Sequence, residues 1–479
     1  MYAVDFTKKS KVHFTGIGGI SMSGLAEILL SKGFEVTGSD SKRSEVTDHL
    51  EGLGAVVYLG QREANVDETV DFLVYTAAVK DDNPELVKAR SLNIPILSRA
   101  QFLGQIMKNY KTAIGVSGTH GKTSTTSMLS EIFVGSEMDP TILVGGMLPS
   151  IGGNSRIGHS DKFITEACEY TNSFLEFAPT VGIILNVRED HLDFFKDIDD
   201  IRNSFKKYAN LLPDDGTLVI CSDIDDISYF TEGLKCNIIT FGSDPAKSNY
   251  SFKDANFDEM ARGSYTLLID GKESGSVKLN VTGEHNITNS LAAIAASVAC
   301  GISVEDAIKG LSLYKGVDRR FQYKGNIGNI AVVDDYAHHP DEIEATLKAA
   351  EKYPHNKLWV VFQPHTYTRT KALFNEFANV LSKAENIVLC DIYAAREKDT
   401  LGIGSKDLLS EIKKKNEDIS NNTKLIFEFY EITDDTNKKE PKKNKYRKTI
   451  LSYQFNKSKN DLNPDYLNLM YALDRKSVV

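Results

Sequence analysis

Ala113-Ile114-Gly115-Val116-Ser117-Gly118-Thr119-His120-Gly121-Lys122-Thr123-Ser124 is the stretch that decides the fold. A short apolar run enters a tight polar turn, and a helical pattern follows from Thr125 to Phe133. A strand feeding a Gly-Lys-Thr turn that opens a helix aims backbone N–H groups and the helix N-terminus at a phosphate chain. This describes a cradle for a nucleoside triphosphate such as ATP, built from Gly118, Thr119, His120, Gly121, Lys122, Thr123 and Ser124. Lys122 can reach the outer phosphates as a point charge, and the Thr123 hydroxyl is placed to ligate the accompanying magnesium ion. The common motif carries a glycine where Val116 stands, so Gly115 and Gly118 are expected to supply the flexibility of a Gly-Thr-x-Gly-Lys-Thr variant. The plain alternative is a glycine-rich turn with a solvated lysine.

Working outward, 479 residues exceed one ordinary core, and about 150 residues per domain suggests three. The five cysteines are scattered without a Cys-x-x-Cys pair, which indicates neither a disulfide framework nor a structural zinc site. A net charge of -10 argues against a nucleic-acid partner, whose backbone demands a basic footprint. No apolar run approaches the roughly 20 residues needed to span a bilayer, and no leader pattern follows Met1. The expectation is a cytoplasmic protein without membrane insertion that handles phosphates at local sites.

Upstream, residues 11–40 read strand, turn, helix, strand, with Gly16-Ile17-Gly18-Gly19-Ile20-Ser21 as the turn and Asp40 closing the second strand. That is the outline of a dinucleotide fingerprint, with an acid where a ribose hydroxyl would lie. Ser21 replaces the third glycine, and the motif itself requires only a diphosphate on a helix N-terminus, which UDP also offers. A ligand-free turn of the same shape joins β to α in many open sheets. The strand Phe72 to Tyr75 runs into Thr76-Ala77, small residues able to flank the same nucleotide or to form a bare turn. The reading divides the chain into a nucleotide-binding domain over 1–109, a central ATP-binding domain over 110–315 and a C-terminal domain over 316–479.

Downstream of the central turn, a strand from Lys162 to Thr165 delivers Glu166, and one from Thr180 to Leu185 delivers Asn186, Asp190 and His191. Ligands collect beyond the carboxyl ends of strands in open α/β sheets, so Glu166 and His191 are expected to join Thr123 in holding magnesium or manganese. Taken singly, a solvated acid and a capping histidine are the ordinary alternatives. His285 and Asn289 share a helical face that could offer two hydrogen-bonding groups to a base, or simply cap the helix. Arg319 and Arg320 form a pair suited to phosphate. Three further strands end in Asp335-Tyr336-Ala337-His338-His339-Pro340, Pro364-His365-Thr366-Tyr367-Thr368-Arg369-Thr370 and Asp391-Ile392-Tyr393-Ala394-Ala395-Arg396-Glu397, the pattern of a binding rim.

From about Lys11 to Gly404 these motifs, in this order, resemble the Mur ligase family. The resemblance implies an α/β fold of three domains, Rossmann-like at both ends with a P-loop ATPase-type centre. It implies ATP-dependent ligation of L-alanine to UDP-N-acetylmuramate through an acyl phosphate. The UDP-sugar would lie on Gly16, Gly18, Gly19, Ser21, Asp40, Thr76 and Ala77, with the adenine of ATP on His285 and Asn289. Arg320 and Asp335 would also contact ATP, and Tyr336, His338 and Arg369 the amino acid. Lys122, Glu166, His191, Arg319 and His338 would carry the catalysis, His338 as the candidate base. Rival readings are a ligase that reattaches murein peptides or a folate glutamate-adding enzyme, a silent nucleotide-binding homologue and an NAD-dependent oxidoreductase. One departure stands out: after Gly404 no glycine occurs, and Asn437-Lys438-Lys439-Glu440-Pro441-Lys442-Lys443-Asn444-Lys445 opens a tail rich in Lys, Asn and Tyr. Its composition suggests disorder or a shifted reading frame.

Overall fold

The computed structural model describes residues 2–416 except Asp193, Gly328 and Arg396, together with the short strand Ile426–Phe427. The atypical tail after residue 427 lies outside the described residues. The chain divides into two compact units, the first reaching Asp318 apart from short segments at 191–193 and Glu259–Ala261, the second beginning at Arg319.

The first unit holds two sheets. One is fully parallel, in the order β3 (Val56–Leu59), β2 (Glu35–Asp40), β1 (Lys11–Thr15), β4 (Phe72–Tyr75), β5 (Ile96–Ser98). The chain leaves β1 toward β2 on one side and returns to β4 on the other, so the direction of winding reverses between β1 and β4. A crevice opens at such a reversal beyond the strand ends. Gly16 lies there, packed so that a side-chain carbon on it would come 2.7 Å from the Thr76 methyl.

The second sheet has ten strands, centred on β6 (Thr112–Ser117) between β10 (Val181–Ile184) and β9 (Lys162–Glu166). Beyond β9 lie β7 (Thr141–Leu148) and β8 (Gly153–Arg156); beyond β10 lie β11 (Thr217–Cys221), β12 (Asn237–Phe241) and the antiparallel run β13 (Tyr250–Phe257), β14 (Arg262–Ile269), β15 (Lys272–Thr282). Val116, Ile114, Ile183 and Ile164 are fully buried beneath helices Lys122–Gly135 and His285–Ala299, whose apolar faces complete the core. Continuous apolar strands are what a sheet covered on both faces requires. The paired strands β7 and β8 reach the first sheet's glycine turn: Asn154 donates to the Ile20 carbonyl at 3.1 Å and Ser155 to Glu27 at 2.9 Å.

The second unit contains the hairpin β16 (Gln322–Ile327) and β17 (Ile330–Asp334), and the parallel sheet β18 (Trp359–Phe362), β19 (Asn386–Cys390), β20 (Ile426–Phe427). Phe362, Phe377, Leu381, Leu389 and Leu408 form its core.

Candidate active site

Most long helices of the first unit begin with a side-chain cap. Ser44, Asn83, Ser98, Asp197 and Ser303 each accept a hydrogen bond from the first turn of the helix they open. Helix His285–Ala299 lacks such a cap at Glu284, and helices Ile20–Ser31 and Lys122–Gly135 begin at Gly19 and Gly121, which have no side chain to give. Their first amides are therefore left for an outside acceptor, the condition for binding phosphate.

At the first of these turns, Asp40 Oδ2 accepts from Gly18 N at 3.0 Å, which fixes the acid of β2 beside the glycine loop. Arg99 Nη1 donates to Ser21 Oγ at 3.1 Å, and burial lowers the Arg99 pKa. Beneath the turn, Glu85 Oε2 accepts from Thr15 and Ser39 at 2.7 Å each and lies 3.3 Å from His13 Nε2, with both side chains fully buried. Burial alone would raise the Glu85 pKa; His13, Asn65 and Ser39 reverse this and hold the carboxyl below its ordinary range.

At the second turn Gly121 takes φ +86, a conformation open to glycine, and a carbon added to it would meet Asn289 Oδ1 at 2.6 Å. Gly118 likewise takes φ +143. Gly115 does something else: it lies within β6, and its missing side chain lets Tyr208 approach and donate to the Gly115 carbonyl at 2.8 Å. The expected flexibility from Gly115 is thus corrected to close packing. Asn186 clamps the loop from β10, accepting from His120 N at 2.9 Å and donating to the His120 carbonyl at 3.0 Å. The buried Thr119 hydroxyl is tied to Arg188, accepting from its N at 2.9 Å and donating to its carbonyl at 3.3 Å. Ser124 is buried in the first helical turn, which begins at Lys122 rather than Thr125.

Lys122 departs from a simple outward reach. Its ammonium donates to the Gly118 carbonyl at 2.6 Å, the Thr119 carbonyl at 3.1 Å and both oxygens of Glu169 at 3.1 and 2.8 Å. Burial by itself would lower the lysine's pKa, but the Glu169 charge outweighs it and the ammonium is held more firmly than in water. Burial raises the thiol pKa of neighbouring Cys168, with Glu169 adding to the effect.

Thr123 and Glu166 share one neighbour. In β7 Gly145 N donates to Glu166 Oε1 at 2.6 Å, and a side-chain carbon on Gly146 would come 3.2 Å from the Thr123 methyl. The two glycines let β7 pass close to Glu166 and Thr123, whose carboxylate and hydroxyl are the hard oxygen donors that suit magnesium or manganese. His191 follows β10 with φ +53, an unusual backbone conformation for a histidine. Asn289 is buried and gives its amide hydrogen to Asn286 Oδ1 at 3.1 Å, while His285 is exposed at the helix start.

Within the second unit the guanidinium groups of Arg319 and Arg320 lie 5.5 and 5.7 Å from the Tyr336 ring centre, a favourable cation–π arrangement. Asp335 is expected to contact ATP, yet its two oxygens accept from Phe321 N and Ala337 N at 2.7 Å each, so it clasps the arginine turn to the tyrosine loop. His338 Nδ1 lies 2.9 Å from the Tyr336 carbonyl. A carbonyl only accepts, so Nδ1 carries the proton, and in the neutral ring Nε2 keeps its lone pair. Arg369 Nη1 stands 3.4 Å from His365 Nδ1, and burial, followed by Arg369 and His338, lowers the His365 pKa.

Glu169, the Asn186 clamp, the Gly145-Gly146 pair, Arg99 and His365 are additions from the structure. Only the paired glycines inside a strand left a local signal, since glycine there often marks close approach by another group.

Two uncapped phosphate turns at sheet reversals, one with lysine, threonine and a nearby carboxylate, define a nucleotide-dependent α/β enzyme. Three family models match along the chain: the Mur ligase family catalytic domain over residues 11–111, the Mur ligase middle domain over 116–297 and the Mur ligase glutamate ligase domain over 319–436. The chain is 59% identical over 413 residues to the UDP-N-acetylmuramate–L-alanine ligase of Lachnospira eligens, covering 86% of this chain and 90% of the relative. It is 54% identical to the enzyme of the same name from Agathobacter rectalis over 411 residues, 85% and 89% of the two chains. The crystal structure of the UDP-N-acetylmuramate-alanine ligase of Thermotoga maritima superposes with a TM-score of 0.71 at 30% identity, covering 88% of this chain and 90% of that one. The chain belongs to the Mur ligase family and is an ATP-dependent ligase. Among the described residues no helix is long and apolar enough to cross a membrane.

Proposed function

We propose that this chain joins L-alanine to UDP-N-acetylmuramate at the expense of ATP, giving UDP-N-acetylmuramoyl-L-alanine, ADP and phosphate for peptidoglycan synthesis in the cytoplasm. The observation that carries the reading is the pair of glycine-opened helix starts at Gly19 and Gly121 in one unit. Two turns for two nucleotides match a reaction that consumes one nucleotide and builds on another. The choice of alanine is supported by the names of the relatives that are 59% and 54% identical.

A carboxylate resists an amine because its charge repels the attacking pair and oxide is a poor leaving group. In the first step a carboxylate oxygen of the muramoyl group attacks the γ-phosphorus, the bond to the bridging oxygen breaks and ADP departs with the electron pair. In the second, the alanine nitrogen attacks the acyl carbon and phosphate leaves with the oxygen that had belonged to the carboxylate. Lys122 and Arg319 neutralise the negative charge gathered in the first step. A magnesium or manganese ion held by Thr123, Glu166 and His191 would screen the phosphates further. Thr123 and Glu166 beside the bare Gly145-Gly146 backbone suit such an ion.

The α-ammonium must lose a proton before attack, since its pKa is about 8. His338 Nε2, left as an acceptor by the Nδ1 contact with Tyr336, would take it as the general base. Tyr336 and Arg369 would receive the amino-acid carboxylate. Gly16, Gly18, Gly19, Ser21, Asp40, Thr76 and Ala77 would hold the UDP-sugar, with Asp40 on the ribose. His285 and Asn289 would face the adenine, and Arg320 the phosphates. Substrate with ¹⁸O in the muramoyl carboxylate tests the route. The expected result is transfer of one label into inorganic phosphate per amide formed; phosphate free of label would exclude the acyl phosphate.

A further inference from the structure

The cradle at 118–124 contains a carboxylate that its phosphate-binding role does not call for. Glu169 is only 3% exposed and receives the Lys122 ammonium on both oxygens, at 2.8 and 3.1 Å. One hydrogen is shared between the two Glu169 oxygens, and the other two go to the Gly118 and Thr119 carbonyls at 2.6 and 3.1 Å. An ammonium has three hydrogens, and here all are engaged. A phosphate oxygen can therefore bond Lys122 only by replacing one of these acceptors. The two carbonyls lie in the tight turn itself and cannot retreat without unmaking it. Glu169 is on a different segment, between β9 and the short helical turn Tyr170–Glu176, and is the acceptor a phosphate can replace without unmaking the turn.

We infer that Glu169 is a positioning residue that holds Lys122 in the empty cradle as a stand-in for the outer phosphates and gives it up when a triphosphate binds. The inference rests on the reading of residues 118–124 as the ATP cradle. Glu169 keeps the lysine charged and extended across the turn, so the site is formed before ATP arrives. The same contact sets a threshold: a nucleotide must offer an anion able to displace a carboxylate. AMP, which ends at the α-phosphate, has no group to make the exchange, whereas the outer phosphates of ATP do.

The test is calorimetric binding of the β,γ-imido analogue of ATP, and separately of AMP, to the full chain with magnesium present. The variants are E169Q, E169D, K122A and the double variant. Glutamine keeps the shape but removes the charge Lys122 prefers. E169Q should bind the analogue about 5- to 15-fold more tightly than native protein, the difference between a hydrogen bond to a charged group and one to a neutral group, with AMP affinity unchanged. E169D, which retains the charge, should stay near the native value. In the K122A background the gain from E169Q should vanish, because a coupling between two residues disappears when either is removed. A gain that persists without Lys122 would mean simple repulsion between Glu169 and phosphate, and would overturn the exchange. So would no gain at all, or an equal gain for AMP. Equal binding of the analogue by native protein and K122A would instead remove the ATP-cradle reading itself. Should E169Q fail to fold, the ¹⁵N signal of Lys122 Nζ in native protein is the second measure. It should move on adding the analogue and stay in place with AMP; an unmoved signal with the analogue would overturn the inference.

Discussion

The two glycine-opened helix starts of the first unit share a backbone plan and differ in charge. Each follows a buried parallel strand, each opens its helix with glycine, and each lies where its sheet reverses direction. Around Gly16–Ser21 the groups are an acid on the loop amide, Asp40, and an arginine reaching across from another helix, Arg99. Around Gly118–Lys122 they are a lysine within the turn, a threonine after it and the carboxylates Glu166 and Glu169 from β9 and beyond. Backbone shape alone announces phosphate; the flanking side chains decide how many phosphates and with what companions. A diphosphate joined to a ribose suits the first set, a triphosphate with its metal the second.

Breaking the second turn should cost most. K122A is expected to lower ATP-dependent phosphate release by about 10²–10³-fold, the usual loss for one transition-state donor, while UDP-N-acetylmuramate still binds in calorimetry. G121A comes next. A side chain at φ +86 beside Asn289 costs about 1–2 kcal/mol in backbone strain before any displacement, so kcat/KM for ATP should fall about tenfold or more in steady-state assays. Breaking the first turn is milder and falls on the other substrate. D40A should raise KM for UDP-N-acetylmuramate about tenfold, the worth of one hydrogen bond to a charged group, with KM for ATP near native.

The smallest kinetic effect belongs to the support under the first turn. E85Q should destabilise the protein by about 1–3 kcal/mol in urea melts, the cost of weakening a buried charged network, while ATP affinity is kept. The Glu85 pKa is depressed in the folded protein. Its contribution is therefore complete above the unfolded carboxylate pKa and is lost as pH falls through the folded value. The difference between native and E85Q should narrow on acidification through that range; a constant difference would show that Glu85 acts through packing alone.

The turns were legible because their physics is local. An apolar run, glycines at fixed offsets and a helical pattern suffice to mark a strand-turn-helix, as at 11–32 and 112–135. The strands ending at Glu166, Cys390 and Asp334 were likewise visible as apolar segments running into polar loops. The partner of Lys122 was hidden because Glu169 is 47 residues away, and nothing in its neighbourhood distinguishes it from a surface acid. Asp335 shows the opposite case: its motif reads as a ligand-facing loop, and both its carboxylate oxygens are engaged by backbone amides of its own unit. Gly115 misled, since the space beside it is filled by Tyr208, 93 residues on. Strand-end placement can be read from pattern, whereas the choice between binding a ligand and satisfying the fold depends on long-range neighbours.

The most direct test of the account is phosphate release by the purified full chain with ATP and magnesium, measured with UDP-N-acetylmuramate and L-alanine together and with each omitted. The account predicts turnover that requires both substrates, yields one phosphate per amide and is lost in K122A. Phosphate released at the same rate without the UDP-sugar, or none with alanine and full release with a murein peptide in its place, would contradict it.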